Sequence, residues 1–200
     1  DVINKRRKWI YNKLKNSLGL TESLLKNTDM QLRDFFRRID STAGSFFNLL
    51  VQLYDRAFFE DKLQSYFCMN NCNLTVCWNN RCTTTAGMCR LKRRKYPEAE
   101  LKIPIELSPR PLFEGLLEAD DRPLINSGVI CKNILECLMI TFEHELVHAI
   151  IHCLCDKFGH TNFRSPGIYR GKNHPGSGHS VTFMSISNNI FGQTNYTHGL

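Results

Sequence analysis

Residues 129–155 read VICKNILECLMITFEHELVHAIIHCLC, and this stretch decides how the rest of the chain is organised. It is apolar almost all round, which predicts one long buried helix from residue 129 to about 155. Its polar exceptions gather on one side. At about 100° per residue, Asn133, Thr141, His144, His148 and His152 fall within an arc of about 100°. A buried helix with one histidine-bearing polar stripe is the sequence pattern of a helix that lines an active site. Within it, His144-Glu145-Leu146-Val147-His148 sets two imidazoles at i and i+4, on one side and about one turn apart. That spacing lets both share one tetrahedral zinc at about 2.0–2.1 Å. Glu145 sits about 100° round the helix from His144, where it reaches a water polarised by the metal without joining the coordination sphere.

A catalytic zinc needs a third protein ligand and an open position. Ile151 and Leu154 occupy the places where the metzincin pattern requires glycine and histidine, so that class is excluded. His152, His160, His174, His179 and His198 are the candidates. His152 lies about two turns from His144, a poor position for a shared metal. His160, His174 and His198 have no supporting local pattern.

Working outward, residues 45–59 (SFFNLLVQLYDRAFF) carry Phe46, Leu49, Leu50, Leu53, Tyr54 and Ala57 at helical spacing, with Ser45 as the expected N-cap. Residues 74–78 alternate as a strand, Asn79-Asn80 suits a turn, and residues 83–91 read as the partner strand. Residues 101–107 (LKIPIEL) alternate strongly, and Pro104 points to an edge strand. Pro109, Pro111 and Pro123 predict a loop, residues 156–178 another, and residues 181–190 a last short helix. Residues 1–44 are basic and helix-friendly, with a weak apolar face at Trp9, Ile10, Leu14, Leu18 and Leu20. They read as a basic helical N-terminal extension to a domain spanning 45–200.

The chain has 200 residues, 42% hydrophobic and 22% charged, which excludes a disordered, collagen-like or small disulfide-scaffold protein. Charged and histidine side chains interrupt its most apolar stretch, so no membrane span is expected. Residue 1 is Asp, which predicts a trimmed or processed chain, and the basic residues at 5–8 lack the apolar run of a signal peptide. Nine cysteines cannot all pair internally, and reduced thiols in a nuclear or cytoplasmic compartment are expected. Cys68, Cys72, Cys77, Cys82 and Cys89 lack a CxxC pair, leaving a second metal site among them open. The net charge of +7 suggests a polyanionic partner. Arg90, Lys92, Arg93, Arg94 and Lys95 form the densest basic cluster, fit for phosphate contacts without sequence specificity. Lys5 to Lys8 form a second.

Taken together, these segments resemble the SprT-like metalloprotease family over roughly residues 45–191. The resemblance rests on LVQLYDRAFFEDKL (50–63), a strand ending at Trp78, TTTAGMCR (83–90), IELS (105–108), HELVHA (144–149) and GHSVTF (178–183). It implies an α+β, zincin-like fold with a small antiparallel sheet packed on the HExxH helix. It implies Zn2+ held by His144, His148 and His179, with Glu145 as general base. It also implies cleavage of DNA-associated or DNA-crosslinked proteins. Ser180 stands where the family has glycine, and no cysteine-paired zinc finger follows the protease segment. Residues 103–107 are the expected strand for pairing with a peptide substrate, with Thr85-Ala86-Gly87 shaping the wall beside it. The reading from another class is a non-catalytic DNA-associated protein with a structural zinc site, for which Glu145 has no use.

Overall fold

The computed structural model describes residues 1–26, 28–90, 99–118, 124–156 and 179–195. Helix α1 (Val2–Ser17) begins at Asp1, whose carboxylate accepts from the Ile3 N–H and complements the positive end of the helix. A single 3-10 turn (Glu22–Leu25) leads to α2 (Asp29–Ser41), whose stripe of Leu32, Phe35 and Ile39 is fully buried. Helix α3 (Ala43–Phe59) buries Phe46, Leu50, Leu53 and Tyr54, the face its spacing predicts. It starts two residues before the expected cap, and the Ser45 hydroxyl donates to the Thr42 carbonyl instead. Helix α4 (Leu63–Met69) was not expected. Asp55 nucleates it from a distance, its buried carboxylate accepting from the N–H groups of Leu63 and Gln64 at 2.7 and 3.1 Å.

Strand β1 (Cys72–Trp78), strand β2 (Gly87–Cys89) and strand β3 (Leu101–Leu107) form one sheet in the order β1-β3-β2. The sheet is mixed, not antiparallel as expected: β1 pairs with β3 in parallel and β2 pairs with β3 antiparallel. The expected hairpin between residues 74–78 and 83–91 does not form, because β3 lies between them. Asn79 turns the chain away, its side-chain oxygen accepting from the N–H groups of Arg81 and Cys82. β3 takes the centre because Leu101, Ile103, Ile105 and Leu107 are all buried. Pro104 does not confine it to an edge. The Pro104 carbonyl accepts from Arg90 N–H, so its missing donor faces the β2 side, just past the last Cys89–Ile105 pair.

Helix α5 (Pro109–Glu118) replaces the expected loop, since Pro109 and Pro111 sit in its first turn, where no intrahelical N–H is needed. Strands β4 (Leu124–Asn126) and β5 (Val129–Cys131) form a hairpin. Ser127 and Gly128, at φ 51° and 79°, are the two left-handed residues its tight turn requires. The long helix α6 (Ile134–Asp156) therefore starts five residues later than predicted. Asn133 caps it by accepting from Glu136 N–H, while Glu136 accepts from Lys132 N–H. Helix α7 (Val181–Phe191) matches its expected span, and Ser180 caps it by accepting from Phe183 N–H at 3.1 Å.

One hydrophobic core runs through these elements, with α6 against β2, β3 and α7. The N-terminal helices share it. Ile10 and Leu14 are fully buried, and α1 packs on α3 and α6. Arg7 reaches Glu143 of α6 with Nε at 2.8 Å and Nη2 at 2.5 Å, and also donates to the Phe191 carbonyl. No described helix is long and apolar enough to cross a membrane. The expected loop at 156–178 lies outside the described residues, apart from Asp156 at the end of α6.

Candidate metal centre

The i, i+4 spacing on α6 points His144 and His148 the same way, and the start of α7 brings His179 against them. His179 Nε2 lies 2.9 Å from His144 Nε2 and 3.2 Å from His148 Nε2. Three imidazole nitrogens sharing a tetrahedral ion with bonds of 2.0–2.1 Å stand about 3.4 Å apart, close to this arrangement. The three histidines are positioned to bind a metal ion, and they form the one such group among the described residues. Cys68, Cys72, Cys77, Cys82 and Cys89 do not gather into a second one. His152 stands outside the triad, and His160, His174 and His198 lie outside the described residues.

The surroundings fix the rings. Phe183, one turn into α7, packs its ring against all three imidazoles at centroid distances of 4.5–4.8 Å. With Nε2 of His144 turned to the cluster, its Nδ1–H donates to Ser127 Oγ at 3.4 Å. Ser127 Oγ donates in turn to Asn126 Oδ1, and Asn126 Nδ2 to Thr141 Oγ1 at 2.9 Å. The β4–β5 turn is thus tied to the metal-facing side of α6. Sequence reading missed Ser127. The available signal was Ser127-Gly128, a tight-turn pair that directly precedes the run read as helix.

Glu145 is 3% exposed. Burial pushes its carboxyl up to about 8, against the pull of a hydrogen bond from the Cys89 backbone. A bound cation reverses that logic by favouring the charged carboxylate. Burial also pulls His179 and His152 below the ordinary imidazole value. For His179 this favours the neutral, metal-binding form. On the opposite side of α6, Glu143 is bonded by Arg7, by Tyr54 hydroxyl at 2.9 Å and by Gln193 Nε2 at 3.1 Å.

One expectation about the site changes. β3 has neighbours on both edges, so residues 103–107 cannot pair with a substrate strand. Gly87, expected in the wall beside that strand, borders Glu145 together with Cys89 of β2. Of the basic cluster, Arg90 is exposed at the end of β2, its Nε donating to Met88 Sδ and lying 3.9 Å from Glu106. Lys92, Arg93, Arg94 and Lys95 lie outside the described residues. No family model, curated protein or solved structure matches the chain.

Proposed function

We propose that the chain is a zinc-dependent endopeptidase of the SprT-like type, acting on DNA-associated or DNA-crosslinked proteins. The observation that carries this reading is the convergence of three imidazole nitrogens, with the buried Glu145 next to His144 in the same helix and outside that cluster. Three histidines with an open fourth position are the donor set of a catalytic zinc. When bound, such an ion supplies Lewis acidity, polarising a peptide carbonyl and acidifying water.

The chain's own residues do the rest. His144, His148 and His179 hold the ion, and Ser127 and Phe183 keep two faces of that cluster oriented. Glu145 takes the proton of the attacking water on its carboxylate and passes it to the departing amine. The net charge of +7 and the resemblance to SprT-like proteases support a DNA-associated substrate in a nuclear or cytoplasmic compartment.

The test is metal content together with cleavage of an unfolded protein. The purified chain is expected to hold one zinc. Glu145→Gln should keep it while turnover falls by about 10²–10⁴. His179→Ala should lose the metal. Cleavage that survives Glu145→Gln at the wild-type rate sinks the mechanism.

A further inference from the structure

Strand β2 runs past Glu145 closely enough to determine where that side chain lies. Ser108 N–H donates to the Ala86 carbonyl and Arg90 N–H to the Pro104 carbonyl. In an antiparallel ladder the bonding direction alternates, so the N–H and C=O groups of Gly87 and Cys89 point away from β3. At Cys89 they meet α6, where the backbone hydrogen-bonds both Glu145 and His152. At Gly87, a Cβ would lie 2.8 Å from Glu145 Cγ, 2.8 Å from Thr141 Cγ2 and 3.0 Å from Glu145 Oε1. Glu145 Cγ and Thr141 Cγ2 are each one bond from a Cβ fixed on α6, so neither yields without leaving its rotamer. Gly87 is not among the glycines with positive φ, unlike Gly128 and Gly192. Close approach, not backbone conformation, is what a side chain at 87 would violate.

We propose that Gly87 and the Cys89 amide are positioning residues for Glu145: the missing side chain at 87 leaves room for the carboxylate arm, and the 89 amide fixes its end. The inference rests on the reading of Glu145 as the general base. It extends that reading by assigning the orientation of the base to β2 rather than to α6 alone.

The test separates this role from simple packing. Thr141→Ser removes the methyl that would clash but keeps the hydroxyl that bonds Asn126 and the Cys137 carbonyl. In the zinc-loaded chain, Gly87→Ala with Thr141→Ser then leaves Glu145 as the sole obstruction. Thr141→Ser alone should cleave at close to the wild-type rate. The double variant should lose about 10²-fold in kcat, the scale of a 1 Å misplacement, with KM and zinc content little changed. Added to Glu145→Gln, the same pair should cause no further loss, because residues that act through one another are not additive. A loss that multiplies in the Glu145→Gln background, or an unchanged kcat, overturns the inference while leaving the functional reading intact. If the wild type does not cleave, or Glu145→Gln cleaves as fast, the functional reading fails. The seat is then judged by the Cys89 amide proton in ¹⁵N-resolved spectra. Its resonance should move in both Glu145→Ala and the Gly87→Ala, Thr141→Ser variant, and an unmoved resonance overturns it.

Discussion

Glu145 costs the fold stability in the same environment that suits it for proton transfer. Its carboxyl ionises near 4.5 when exposed and near 8 when buried beside Cys89 without metal. The folded, metal-free chain therefore keeps a proton that the unfolded chain releases across that interval. A raised carboxyl contributes stability at low pH that is lost as pH rises between the two values. The contribution of Glu145 to the melting temperature of the metal-free chain should thus fall from about pH 5 to about pH 8, while the lowered His179 and His152 act in the opposite direction below the ordinary imidazole value. Glu145→Gln should flatten part of that slope, and burial pushes Glu143 in the same direction, so part should remain. Metal loading should weaken it further, since a cation beside the carboxylate favours its charged form. A slope identical in wild type and Glu145→Gln would mean the carboxyl is not desolvated as described. At this scale the sequence was informative where spacing is local. His144, Glu145 and His148 follow from one helical turn. His179, which approaches within 3.2 Å of His148 from 31 residues downstream, was reachable only through the GHSVTF resemblance. No periodicity links the two segments. Ser127 was illegible because its contact with His144 depends on a turn closing first.

Among the elements, α3 and α7 could be read from their patterns, whereas α4, α5 and the strand order could not. The stripe of α3 and the span of α7 appear as their patterns require. The sheet was misjudged because three short strands carry no record of their neighbours, and Pro104 argued for an edge while its buried flanks, Ile103 and Ile105, required the centre. The docking of α1 was equally hidden, since it depends on a pair of charges 136 residues apart. Arg7 and Glu143 have side chains 12% and 0% exposed. Burial pushes the Glu143 carboxyl up against the opposing pull of Arg7, Tyr54 and Gln193, so each of these donors matters to it. Arg7→Ala leaves that carboxylate buried without its charged partner, and breaking such a pair costs about 3–5 kcal/mol. Urea unfolding should record that loss. Glu143→Gln in the Arg7→Ala background should restore part of it, because a neutral amide costs less to bury and Tyr54 and Gln193 remain beside it. A loss of under about 1 kcal/mol would mark the pair as a screened surface contact. The same variant should loosen α7, because Arg7 also donates to the Phe191 carbonyl at the end of the helix that carries Phe183 beneath the imidazoles.

For the whole molecule, the question is where the excess positive charge meets a partner. The net charge of +7 belongs to the whole chain, and its two densest basic stretches begin at Lys5 and at Arg90. In the N-terminal cluster, Arg7 is withdrawn into the core by Glu143, leaving Lys5, Arg6 and Lys8 exposed on α1. In the other, Arg90 stands next to Glu106 at the end of β2, the strand that borders Glu145. A polyanion held at Arg90 would therefore bring its bound proteins to the strand that borders Glu145, whereas one held by α1 would sit on the Glu143 side of α6. Each phosphate neutralised on a single strand releases counterions, giving a slope of about −0.7 in log affinity against log salt. Arg93→Glu with Arg94→Glu should thus weaken binding to all single-stranded sequences alike and reduce the slope by about 1.4. Lys5→Glu with Arg6→Glu should change it less if the cluster at 90–95 is the one in use. The two pairs alter net charge equally, so the comparison separates a local site from a general attraction to a basic protein. Equal effects would assign binding to overall charge alone, and unchanged affinity in the first pair would make that cluster a solvated face.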